Sequence, residues 1–217
     1  MVPRIAQTGY SFKGASQYYL HDKQADTKER VAWTHTHNLP TNDPEKGFRY
    51  MAHTAMSTDR LKRRAGISNA GRKQSAGMVY SFSIAWHPDQ TPEPEYMKQN
   101  ALNILEQLGL SEHEAVFVAH DDTAHPHVHG IVNLIHPETG RKAVPSYDYL
   151  TASRWAEQLE RDEGKIRCEQ RVENNRKRRE LAKDSRELAL VKHRETKVDI
   201  APEIQLLYER SDSAQAF

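Results

Sequence analysis

Cysteine is almost missing from this sequence. Cys168 alone serves 217 positions, which excludes an internal disulfide framework and suits a reducing compartment. Long hydrophobic runs are missing as well, and nothing approaches the roughly 20 apolar residues that cross a bilayer. The opening stretch, MVPRIAQTGYSFKG, lacks the apolar centre of a secretory signal. A soluble, cytoplasmic globular protein is expected, in keeping with 37% hydrophobic and 28% charged residues. Chains of this length support one well-buried core with appendages.

Net charge is small too, at +1, yet it is unevenly spread. Residues 1–75 hold 13 basic and 6 acidic side chains, residues 76–163 hold 5 and 14, and residues 164–197 hold 12 and 6. Basic segments therefore flank an acidic middle, an arrangement that can wall a groove for a polyanion. Each basic run alone also reads as a solvated helix face.

What the chain does have is periodicity. MVYSFSIAW (78–86), EAVFVAH (114–120) and HVHGIVNLI (127–135) alternate as strands do. The short link at 121–126 suits antiparallel pairing of the last two. Helical spacing follows Thr91, an expected N-cap, with Pro92 at the first helical position and Gly109 as the stop. Met97, Ala101, Leu105 and Leu108 form its inward stripe. Residues 145–164 read similarly, with Tyr149, Ala152, Trp155 and Leu159 inward, and residues 43–66 form a third amphipathic candidate. The charged stretch 173–195 is expected to be an exposed helix. Mixed order without regular βαβ units predicts an α+β class, a central antiparallel sheet with helices packed on one face. The expected division is a domain over 1–165 and a charged, mostly helical extension over 166–217.

Histidine is concentrated where the strands end. AHDDTAHPHVHGIVNLIHP (119–137) holds five of the twelve histidines. His127 and His129, two apart on a strand, leave the same face, and antiparallel pairing brings His120 beside them. Three imidazoles in one place make a metal site with open positions, because a divalent ion takes four to six ligands. Asp121 or Asp122 is the carboxylate expected to orient a ligand imidazole. Asn133 shares the metal face and is expected to position a ligand or substrate oxygen. His125, before a proline, reads as a groove residue; His113, His136 and His193 read as ordinary.

HDDTAHPHVHGIVN resembles the three-histidine motif of plasmid mobilisation and conjugative relaxases, members of the histidine–hydrophobe–histidine endonuclease superfamily, with His127-Val128-His129 as the signature triplet. FKGASQYYLHDK resembles their N-terminal tyrosine motif, and the likeness covers about residues 5–165. It implies a metal-dependent endonuclease and strand transferase that nicks one strand of plasmid DNA at an origin of transfer. A tyrosine would attack the phosphodiester, leaving a 5′-phosphotyrosine and a free 3′ hydroxyl. The resemblance places the nucleophile at Tyr18. Helix geometry agrees, since Phe12, Ala15 and Tyr19 form an apolar stripe while Tyr18 shares a more polar side with Gly14, His21 and Asp22; Tyr19 is the alternative. Imidazole ligands accept Mn2+, Zn2+, Ni2+ or Co2+; Mn2+ or Mg2+ is the expected ion.

Phosphate contacts are expected from Lys13, from Arg60, Lys62, Arg63, Arg64, Arg72 and Lys73, and from Arg176, Lys177, Arg178 and Arg179. His125 and Asn133 complete the expected DNA contacts. Trp33, His35, His37, Trp86 and His87 are candidates for base stacking. Accessory relaxosome proteins and a type IV coupling protein are implied partners, and the chain is expected to be a monomer. Two other functions fit parts of the pattern. A rolling-circle initiator or transposase shares the histidine pair, but its tyrosine usually follows the histidines. A non-catalytic metal-stabilised DNA-binding module would need a closed metal site, and the sole cysteine lies far from the histidines.

Overall fold

The computed structural model describes residues 1–21, 30–70 and 77–190. Five strands form one sheet: β1 (Val2–Ile5), β2 (Val31–His37), β3 (Val79–Ala85), β4 (Ala115–His120) and β5 (His127–Asn133). Their order is β1-β3-β5-β4-β2, and every neighbouring pair is antiparallel. The three strands expected from alternation are β3, β5 and β4, which occupy the centre. Five helices accompany them: α1 (Phe12–Leu20), α2 (Pro44–Met56), α3 (Thr58–Arg64), α4 (Pro94–Gln107) and α5 (Asp148–Asp162).

Side-chain parity divides the core in two. Tyr80, Phe82 and Ile84 of β3, Phe117 of β4, and Val128 and Val132 of β5 meet Ala101, Ile104 and Leu105 of α4 and Ala152 and Ala156 of α5. Opposite parity carries Val79, Val116, Val118 and Ile131 to the other face, against Phe12 and Leu20 of α1 and Phe48, Met51 and Ala55 of α2. The α+β antiparallel class is as expected, but the helices cover both faces of the sheet rather than one. Both parities of β4 are apolar, and a strand apolar on both sides must be covered on both. Gly130 makes room on the first face, where a Cβ would come within 2.3 Å of the Phe82 ring.

Local chemistry moves several expected boundaries. Helix α4 begins at Pro94, with Glu93 rather than Thr91 as N-cap. A residue before proline is barred from helical backbone, and Glu93 is accordingly extended, at φ −63 and ψ 146. Gly109, at φ +70, ends the helix as expected. In α5, Tyr149 is exposed, and Ala156 takes the inward place beside Ala152. The expected helix over 43–66 is two helices, broken at Ser57. Asp43 caps the first, its carboxylate accepting the backbone N–H groups of Glu45 at 2.9 Å and Lys46 at 3.2 Å.

The chain divides into two units, Met1–Cys168 and Glu169–Phe217. Of the second, residues 169–190 are described, and they are helical. Among the described residues no helix is long and apolar enough to cross a membrane.

Candidate active site

Register sets the site. His120 ends β4 directly opposite His127, the first residue of β5, and His129 follows on the same face. The three rings lie with centroids 4.8–5.3 Å apart, and one nitrogen from each falls within 4.8 Å of the others.

Backbone carbonyls fix two of the rings. His120 Nε2 lies 2.8 Å from the Tyr19 carbonyl, and His127 Nδ1 lies 2.9 Å from the His125 carbonyl. A carbonyl only accepts, so each of these nitrogens donates. The other nitrogen of a neutral ring keeps its lone pair for an ion. Burial pushes His129 down to about 3, reinforced by the charges of His120, His127 and Arg30. Burial also lowers His120, with Arg30 adding to the effect. Neutral imidazoles without a thiolate fit a divalent ion that keeps positions open for oxygen ligands.

Carboxylate and guanidinium sit beside the trio. Asp122 Oδ1 is 3.9 Å from His127 Nε2, and its Oδ2 is 4.0 Å from Arg30. Asp121 reaches the same arginine through its backbone N–H, 3.2 Å from the Arg30 carbonyl. Arg30 carries no local signal in the sequence, because nothing around it in the chain marks it. Its place follows from tertiary register, which sets the next residue, Val31, opposite His120.

The tyrosines ride on α1, which starts where Ser11 Oγ accepts the Gly14 N–H at 3.0 Å. Its first and last residues, Phe12 and Leu20, are buried. The Tyr19 ring packs at the edge of this core with its centroid 4.9 Å from His129. Tyr18 is 53% exposed, its ring perpendicular to that of Tyr19 at 4.9 Å. The Arg30 guanidinium stands 5.7 Å from the Tyr18 ring centroid and donates to the Tyr18 carbonyl. Two carbonyls from the last turn of α1, which lack helical partners, are thus tied to His120 and to Arg30.

Other expected residues fall elsewhere. Asn133 is fully buried, which corrects its expected contact with ligand or DNA. Its Nδ2 donates to the Met51 carbonyl at 3.1 Å and to Glu114 Oε2 at 2.9 Å, and its Oδ1 accepts from the Ile135 N–H at 3.0 Å. Trp86 is buried in the core under α4, and Trp33 packs against that same core. His35 and His37 contact Phe117, also on the face turned away from the histidine trio. His87 is exposed. His125 is exposed in the loop before β5, its Nδ1 2.9 Å from the Trp86 carbonyl. Lys13 is exposed on α1, while Arg60, Lys62, Arg63 and Arg64 all lie on α3. Arg176 and Lys177 sit in the 169–190 helix paired with Glu173, and Arg176 also meets Glu180; Arg178 and Arg179 are exposed there. Arg72 and Lys73 lie outside the described residues.

Comparison with known proteins agrees with this geometry. A stretch of 66 residues is 29% identical to MobA of Acidithiobacillus ferrooxidans, covering 30% of this chain and 16% of that protein. A longer stretch of 108 residues is 30% identical to a TraI of Escherichia coli, covering 48% of this chain and 15% of the relative. Another Escherichia coli TraI is 27% identical over 86 residues, 40% of this chain and 12% of its own length. This chain therefore matches only a small part of each relative. The relaxase family model, described as the MobA/VirD2-like nuclease domain, matches residues 18–165, a span holding both tyrosines and the histidine trio, and the chain belongs to that relaxase family.

Proposed function

We propose that the chain nicks and rejoins one strand of plasmid DNA at an origin of transfer, with Tyr18 as nucleophile. The observation that carries this is the fastening of the tyrosine-bearing turn of α1 to His120 and Arg30, beside the three gathered imidazoles. Exposure favours Tyr18 over Tyr19, whose ring is packed between the core and His129.

In the reaction, the Tyr18 oxygen bonds to phosphorus as the bond from phosphorus to the 3′ oxygen breaks. The phenol proton passes to a base at the trio, a role assigned to Asp122, and the departing 3′ oxygen takes up a proton. Reversal restores the original diester, because the phosphotyrosine retains the bond that a water nucleophile would lose. His120, His127 and His129 would hold a divalent ion, with Mn2+ or Mg2+ assigned. Such an ion, when bound, supplies charge stabilisation to the phosphate oxygens. Arg30 and Asp122 hold the tyrosine turn and the His127 edge in mutual position. Origin DNA, relaxosome accessory proteins and a type IV coupling protein are the proposed partners.

The test presents random single-stranded oligonucleotides with Mn2+ present or chelated, and collects adducts that survive denaturation. A metal-dependent adduct mapped to Tyr18 and abolished in Tyr18→Phe is expected. An adduct on Tyr19 would keep the chemistry and replace the residue. Absence of any adduct, from protein that binds metal and single-stranded DNA, would sink the catalytic proposal.

A further inference from the structure

A cavity of about 260 Å³ opens between α1 and α2. Its chemistry is divided. Phe48 and Ala52, from the apolar side of α2, give it a greasy surface. Ser16 and Gln17 of α1 present a hydroxyl and an amide, and neither side chain has a hydrogen-bond partner among the described residues. Lys13 and Arg49 add two cations, neither in an ion pair with a described residue. The one carboxylate in the lining, Glu45, lies 3.9 Å from His21 Nε2.

An apolar surface, an uncommitted amide and two uncommitted cations suit a planar, hydrogen-bonding, anionic ligand. The position narrows the choice. Gln17 immediately precedes Tyr18 on α1, so whatever enters the cavity sits next to the tyrosine-bearing turn. Aromatic and apolar surfaces gain from covering a base, and basic side chains from its phosphate. We propose that this cavity is a base-reading pocket, taking one unpaired nucleotide of the substrate strand near the nick. Phe48 and Ala52 would cover the base, Gln17 and Ser16 would meet its polar edge, and Lys13 and Arg49 would meet the flanking phosphates. The pocket rests on the proposed DNA substrate but not on covalent chemistry, and it gives the enzyme a sequence preference close to the tyrosine.

Binding of fluorescent 12-nucleotide homopolymers of dA, dC, dG and dT tests the proposal without requiring cleavage. The wild-type protein should prefer one or two of the four. Ala52→Trp, which fills the cavity, should lower affinity for the preferred homopolymer about tenfold, as expected for the loss of one stacked base. The slope of affinity against salt should stay the same, because no phosphate contact is removed. Gln17→Leu, a milder change at the surface of α1, should flatten the preference among the four. Thermal melting of both variants confirms that they fold. Equal affinity for all four homopolymers in the wild type, or an unchanged preference in both folded variants, would overturn the pocket. A retained, Gln17-dependent preference without any covalent adduct would uphold the pocket while the nuclease proposal fails. An adduct from variants that keep the wild-type preference would do the reverse.

Discussion

The two faces of the sheet draw on the same strands and put them to different use. Under α4 and α5 the inward side chains are apolar along the whole length of β3 and β5, and Gly130 gives up its side chain so that Phe82 fits. Under α1 and α2 the parity of β5 runs from an interior amide to the open edge that carries the histidines: Asn133 and Ile131 are buried, then His129 and His127 are partly exposed. One face serves closure alone. The other is closed at one end by a polar lock and left open at the other, where the histidines gather. Function here is a matter of where packing stops.

His129→Ala should give the largest separation between the two faces. Metal affinity should fall at least about a hundredfold, since even residues that merely support ligands contribute 10- to 100-fold. Titration of Mn2+ by calorimetry measures this, while melting in chelator should show the fold intact. An equal loss of metal binding from a substitution on the α4 side would erase the distinction.

Asn133→Ala strikes the locked end. Glu114 loses a donor inside the protein, and hydrogen bonds to charged groups are worth about 1.5–3 kcal/mol. Denaturant unfolding should show destabilisation of about 2–3 kcal/mol, with single-stranded DNA affinity unchanged. A fall in DNA affinity without a fall in stability would return Asn133 to the binding surface.

Gly130→Ala tests the packed face. Overpacking costs roughly 1–3 kcal/mol, so a loss of about 2 kcal/mol is expected. Phe82→Leu in the same chain should recover part of it, and a neutral Gly130→Ala would mean that the Phe82 ring moves freely aside.

Acid should act on the open face most. Burial lowers His129, His120 and His113 below the ordinary value of 6.5. The unfolded chain therefore takes up protons that these folded rings refuse. Stability of the metal-free protein should be complete above about pH 6.5 and drain away as pH falls, by at most about 1.4 kcal/mol per pH unit for each ring. Melting temperatures between pH 7 and 4.5 should show this, and His129→Gln should flatten the slope. An unchanged slope would mean that His129 titrates normally.

Much of this was written in local periodicity. Alternation marked β3, β4 and β5, and the registers of β4 and β5 follow from it, so the histidine trio was legible from residue numbers alone. Placement of helices on both faces was legible too, in Val116, Val118 and Ile131 alternating with Phe117, Val128 and Val132, but only if each parity is scored separately. The edge strands were harder. β1 is four residues including Pro3, and β2 mixes tryptophan, threonine and histidine, so neither alternates cleanly. Asn133 shares its face with the histidines but sits six residues from His127, about 20 Å along a strand, where the covering helix α2 already seals the sheet. Face was readable; depth was not. Arg30 was beyond reach altogether, because its partners lie at positions 18 and 122 and only the assembled sheet unites them.

The register that pairs His120 with His127 also sets what the site demands of the folding chain. All three imidazoles lie within one hairpin, so gathering them needs only a short closure, and the entropic cost of closure rises with the logarithm of the segment enclosed. The Tyr19 carbonyl, by contrast, reaches His120 across 101 positions and waits on long-range pairing of the slow kind. Gathering of the imidazoles therefore reports on a hairpin, while arrival of the tyrosine reports on the finished domain.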